Sequence, residues 1–238
     1  GAFGLAIALL LPANPTRAVT RVASPLVAGL AQTVARLGVA LRERDEASAS
    51  TAMAEAHGLQ VSVEQLAQTV EASIEIATLA PARWNARMTL AQVELALPYL
   101  DAAVRDTRVL ARQTLAAIQR GDAIPPGLDV AVDECAVAVQ ALQRSLDSQG
   151  DVAAARGPAI RAAQATTEAM EHTSGMLAQT VAGQVRLVAA DILYATGLTA
   201  EDVTDRLPDL PVPVSRRLLS QEVAPIRDTS QQILRRET

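Results

Sequence analysis

Apolar residues return every three or four positions along nearly the whole of this chain, and nowhere do they alternate in twos. Val19, Val22, Leu26, Leu30, Val34, Leu37 and Leu41 make one such stripe; Leu59, Val63, Leu66, Val70 and Ile74 make a second. Leu90, Val93, Leu97, Leu100 and Val104 form a third, resumed at Ala111, Leu115 and Ile118. Leu128, Val132, Cys135, Val139, Leu142 and Leu146 form a fourth. A strand turns its side chains with period two and a helix with period 3.6, so this spacing admits one secondary structure only. The fold class expected is all-α: a bundle of long, mostly antiparallel amphipathic helices with proline kinks.

Local signals divide the chain. Asn14 is placed to cap a helix that has Pro15 at its first position. Pro25 follows Ser24, a residue able to re-cap, which predicts a kink or short break there. The charged run Arg42–Glu46 ends this helix or carries it into solvent. The Ala- and Ser-rich stretch that follows reads as a separate helix up to Gly58, and Pro81 closes the second stripe. Pro98 is expected to bend the third helix, and Gly121 with Pro125-Pro126-Gly127 marks a loop. Gln149-Gly150 ends the fourth. A fifth element is expected to run from about Pro158 to Thr196 on a seam that includes Ile160, Ala163, Thr167, Met170, Ser174 and Val181, with Gly175 and Gly183 as its weak points. Thr167 and Ser174 read either as a polar pocket or as small residues that let two helices approach. Gly197 is a helix stop, and Thr199-Ala200-Glu201-Asp202 is a capping-box start for a short helix to Leu207.

Half the residues are hydrophobic yet only 2% are aromatic, so Ala, Val, Leu and Ile must fill the core. That disfavours aromatic stacking platforms for nucleic acid. A net charge of −5 argues the same way, so no nucleic-acid partner is expected. Every basic residue is arginine, which fits a general compositional bias better than a selected anion-binding surface. A single cysteine, Cys135, excludes an intrachain disulfide and reads as a small buried hydrophobe on its seam.

Residues 1–11 carry no charge, followed by Pro12, then Arg17 and Arg21. The run is about half the length of a spanning helix. A signal peptide would want a basic start, and a buried core helix is a further alternative. Arginines directly after an apolar run and a proline break fit a membrane helix leaving the bilayer on its cytoplasmic side. The domain boundaries expected are therefore 1–11, the end of a transmembrane helix; 12–208, the helical bundle; and 209–238, a linker with Pro211 and Pro213 and a last amphipathic helix. Pro12, Arg17 and Arg21 are the membrane-proximal candidates.

Glycine-rich phosphate loops, HExxH, GxSxG and CxxC motifs do not occur. Glu168, Glu171 and His172 sit within about one helical turn, but a di-metal bundle repeats such a motif on a second helix, and His57 does not supply it. They read as a solvated face. No catalytic, cofactor-binding or metal site is expected. Arg83, Trp84 and Arg87 place the lone tryptophan between arginines, as a candidate surface contact or as a plain interhelix loop.

The order of segments carries a resemblance: Leu5 to Pro12, Asn14-Pro15-Thr16-Arg17, then Ala103 to Arg112 (AVRDTRVLAR), then Val185 to Leu198 (VRLVAADILYATGL). The chain resembles the soluble part of actinobacterial aromatic acid exporters of the fusaric-acid-resistance (FUSC-like) family. That resemblance implies a bacterial inner-membrane transport protein whose cytoplasmic helical domain, this one, serves assembly of a homo-oligomer or gating. It also implies a small organic acid as cargo of the full-length protein. The competing expectation is a helical signalling or scaffold domain of a membrane receptor, which would need its seams to continue between protomers as a parallel coiled coil.

Overall fold

The computed structural model describes residues 15–78, 84–148, 150–171 and 175–207, with the side chains of 84–86 left out. Among these the protein is an all-helical bundle without strands. Its helices are α1 (Pro15–Glu43), α2 (Glu46–Thr78), α3 (Trp84–Arg120), α4 (Leu128–Ser148), a 3₁₀ turn (Val152–Ala155), α5 (Arg156–Glu171), α6 (Met176–Ala195) and α7 (Ala200–Arg206).

The helices close a ring in the order α1, α2, α3, α6, α5, α4, with α1 also touching α3 and α4 touching α6. Cross-helix pairs give the directions. Arg36 meets Glu55, while Arg42 meets Asp129 and Ser24 meets Asp147, so α1 runs antiparallel to both α2 and α4. Gln60 to Asp101 and Gln119 to Glu46 set α3 antiparallel to α2. The expected antiparallel bundle is present, with one twist in its wiring. After the 121–127 loop the chain returns to α1, and α6 is left to cover α3.

The α1 stripe lies inward, with Val27, Val34 and Leu37 fully buried. Of the kink or short break expected at Pro25, the break is absent: the helix runs on through it. The hydrogen bond that a proline cannot donate would go to the carbonyl of Arg21, one turn back. Pro25 and Arg21 both lie on the exposed face, so water can serve that carbonyl. Ser24 does not re-cap; its hydroxyl donates to Asp147 at 2.6 Å. Pro98 is likewise passed within α3, with exposed Glu94 one turn before it.

The α1–α2 corner is short. Arg44 takes a left-handed φ of 52°, and Asp45 then caps α2, accepting from the amides of Ala47 at 3.0 Å and Ser48 at 3.2 Å. A hydrogen bond from the Ser48 side chain first, then these amide bonds, hold the Asp45 carboxyl below its ordinary range. The separate Ala/Ser helix ending at Gly58 does not exist: α2 is continuous over 33 residues. Its buried row is Ala49, Ala52, Ala56, Leu59, Val63, Leu66, Val70, Ser73 and Ala77, an unbroken three-four heptad in which alanines occupy the first turns. Gly58 and Gly183 are helical, and a Cβ at either would meet no atom within 4 Å. Gly58→Ala and Gly183→Ala are each expected to raise the unfolding free energy by about 0.5–1 kcal/mol, read as a higher urea midpoint, because the backbone entropy cost falls without a steric one.

The single helix expected over 158–196 is two. α5 ends at Glu171; α6 begins at Met176 behind Gly175, whose backbone is extended at φ −72° and ψ 121°. The two pack against each other, tied at their far ends by Arg156, which donates to Thr196 Oγ1 at 3.0 Å and to its carbonyl at 2.9 Å. One continuous rod would have carried its second half away from the ring. Folding back lets α6 contact α3, α4 and α5 together. Of the expected Ile160–Met170 seam on α5 only Ala163 is fully buried; the rest of the buried row, Ala159, Ala162, Thr166 and Ala169, runs one residue earlier. These small residues seat α5 closely, while Ile160 and Met170 flank the contact half-buried.

The terminator and cap near the end stand as expected. Gly197, at φ 88°, donates to the Tyr194 carbonyl at 2.8 Å. Thr199 and Asp202 form a reciprocal capping box at the head of α7. The expected 1–11 membrane helix end, the Asn14 cap, the Pro81 stop and the 209–238 linker and helix lie outside the described residues.

Candidate functional site

α6 is apolar around most of its circumference, as a helix enclosed by three neighbours must be. Its sequence has two charged residues, Arg186 and Asp191, and the fold buries both, leaving 8% of Arg186 and none of Asp191 exposed. Five residues apart, they point to different sides of the helix and do not neutralise one another.

Arg186 lines a cleft of about 520 Å³ between α5, α6 and α7. Ala163, Gln164, Thr167 and Glu168 come from α5; Arg206 and Leu207 come from the end of α7. The capping box fixes that last wall. Thr199 Oγ1 donates to Asp202 Oδ2 at 2.8 Å and accepts from the Asp202 amide at 3.2 Å. Hydrogen bonds from the Thr199 backbone, then from its hydroxyl, hold the Asp202 carboxyl below its ordinary range. Arg206 leans back on this turn, donating to the Asp202 carbonyl at 2.6 Å, while Val203 and Leu207 anchor α7 in the core. Thr167 donates to the Ala163 carbonyl at 3.3 Å. Arg186 Nε is buried with no hydrogen-bond acceptor, and among the described residues the side chain has no acid partner. A guanidinium cannot shed its proton, so the charge stays.

The remaining charge clusters are ordinary by comparison. Arg42 bridges Asp129, at 3.1 Å, and Asp133 at the α1–α4 edge. Partial burial raises the Asp133 carboxyl above its usual value, against the pull of Arg42. Arg161 makes a two-pronged contact with Glu134 at 3.1 and 2.9 Å. Cys135 Sγ donates to the Val185 carbonyl at 3.6 Å, and burial, helped by Glu134, pushes the thiol up to about 12. A thiol so placed is an inert core group. His57 Nδ1 donates to the Met53 carbonyl at 2.7 Å, and Glu55 is taken by Arg36. Among the described residues no three His, Cys, Asp or Glu side chains gather as metal ligands; His172 lies outside them.

Of the residues singled out from sequence, Arg17 and Arg21 lie exposed on one face of α1, a turn apart. Pro12 and Arg83 fall outside the described residues, as does the side chain of Trp84; Arg87 is half-buried on α3. The structure does not bring these into one site. It does bring together the helices bearing the two internal segments of the resemblance: 103–112 is in α3 and 185–198 spans the end of α6, and Tyr99 stacks on Tyr194 with ring centres 5.1 Å apart. α1 is the one described helix long and apolar enough to cross a membrane, and half of that stretch is buried within the bundle.

Sequence reasoning passed over Arg186 because it stands beside the seam residue Val185 within a motif read for its order. The available signal was the company it keeps: a charge inside a helix apolar on nearly every side must be buried.

No family model matches the chain, and no solved structure does. The chain is 23% identical over 207 residues to an uncharacterized protein of Corynebacterium glutamicum, a match covering 84% of this chain. It takes in 53% of that protein, so the chain spans about half the length of the relative.

Proposed function

We propose that this chain is the cytoplasmic helical domain of a bacterial inner-membrane exporter of aromatic or other small organic acids, serving assembly of a homo-oligomer or gating rather than catalysis. The observation that carries this reading is the start of the chain. An apolar run over 1–11 and Pro12 lead into α1, whose first outward residues are the exposed Arg17 and Arg21. Arginines beside an apolar segment mark the cytoplasmic side of a bilayer. The relative, with nearly half its length outside the match, is long enough to hold membrane helices beside such a domain. The signalling alternative draws on the heptad of α2, the kind of row that joins protomers in a coiled coil. Within this fold that row already has α1 and α3 against it.

The test is a strain lacking the intact gene, loaded with labelled benzoate. The expected result is slower efflux and poorer growth in the acid, both restored by the full-length gene, with the protein retained in carbonate-washed membranes. Equal efflux with and without the gene, or release of the protein by carbonate, would sink the proposal.

A further inference from the structure

A buried charge that finds no acid partner among the described residues is suited to a partner from outside. We propose that the cleft between α5, α6 and α7 binds the carboxylate of a small organic acid, with Arg186 and Arg206 as its anion-holding groups.

Four features carry this. Arg186 is more than nine-tenths buried, its Nε has no acceptor, and the side chain lines the cleft. A carboxylate bound there would accept charge-assisted hydrogen bonds from the fork. Arg206 brings a second guanidinium to the same space from α7, held in reach by its bond to the Asp202 carbonyl and by a long ion pair with the Asp202 carboxylate at 3.5 Å that an incoming anion would have to share. The volume of about 520 Å³ lies within the range of small-molecule sites. The lining also sorts ligands. Arg206 already pairs with Asp202 at 3.5 Å and Glu168 stands on the α5 wall, so the lining suits a monoanion better than a phosphate dianion. Ala163 and Leu207 offer apolar wall to a hydrocarbon body, and Thr167 and Gln164 add polar contacts beside it.

The anion site stands on these residues alone; its assignment to an organic acid also rests on the export reading. The experiment is calorimetric titration of the full chain with benzoate, acetate and inorganic phosphate at constant ionic strength. The expected result is saturable benzoate binding at one per chain, weakened about tenfold by Arg206→Gln and at least tenfold by Arg186→Met or Arg186→Lys, with phosphate weaker than benzoate. Glu168→Gln is expected to narrow the gap between the two anions. Arg206 is exposed, so its variant keeps the core intact. Absence of saturable carboxylate binding, equal affinity in the arginine variants, or tighter binding of phosphate would overturn the proposal. None of these outcomes bears on efflux from the deletion strain, so the two readings fail separately.

Discussion

Leu37→Ala is expected to lower the unfolding free energy by about 3–4 kcal/mol, the largest loss from any single truncation argued for this chain. Leu37 is wholly buried on α1, the helix that touches α2, α3 and α4. Removing its branched end takes away transfer energy and leaves a hole. Whether the hole can close depends on the neighbours, and here they are poor at closing it. The buried residues around it on α1 are Thr33, Val34, Gly38, Ala40 and Leu41. The facing helices contribute β-branched valines and many alanines, which have little or no freedom to swing into a gap. A core rich in Ala gains its stability from helices lying close together, so the backbones that would have to move to fill the gap are already in contact. Urea unfolding followed by far-UV circular dichroism reads the change as a lower midpoint with an unchanged slope. Val61→Ala, at a position 58% exposed on α2, is the control and should move the midpoint little.

How much of this was legible in the sequence depends on which physical effect decided each feature. The class of fold and the inward faces of α1 and α4 followed from leucines and valines, whose burial is the largest favourable effect and leaves the plainest pattern. The first turns of α2 were missed because Ala49, Ala52 and Ala56 hold heptad positions with a residue that is neither clearly apolar nor polar by pattern. Their role emerges only once α1 is seen lying against them. Local signals at Pro25 point to a kink or a short break, and a break is what a buried carbonyl would require; with Arg21 on the exposed face the helix can run on. The fold-back between α5 and α6 was a contest between helix propensity, which favours one rod, and tertiary burial, which favours two. Gly175 weakened the rod, and burial of α6 on three sides won. The cleft was the least legible feature. Its residues come from three helices between 163 and 207, and the sequence does not place Arg206 beside Arg186.

Arg186→Met is expected to stabilise the protein by about 1–2 kcal/mol while removing the carboxylate site. Methionine keeps the length and flexibility of the arginine stem, so the packing of α6 against α5 is retained. What disappears is a largely buried charge that, among the described residues, forms no ion pair. Burying an unpaired charge costs several kcal/mol, and apolar replacements of buried charged groups are often stabilising by roughly 1–4 kcal/mol. The lower end applies here because the side chain borders an open cleft, where water reaches part of the guanidinium. The sign is what matters. A purely structural arginine, satisfied by its surroundings, would lose stability on this change, and most substitutions at buried positions do. An arginine kept for a ligand carries a standing cost in the empty protein, and the cost is offset only when the anion binds. The paired measurement is thermal unfolding of wild type and variant, each with and without benzoate. Wild type should gain stability with benzoate concentration by mass action, and the variant should start higher and not respond. A variant that starts lower, in a chain whose far-UV spectrum is unchanged, would show that the surroundings of Arg186 already satisfy it and that the cleft has no need of an anion.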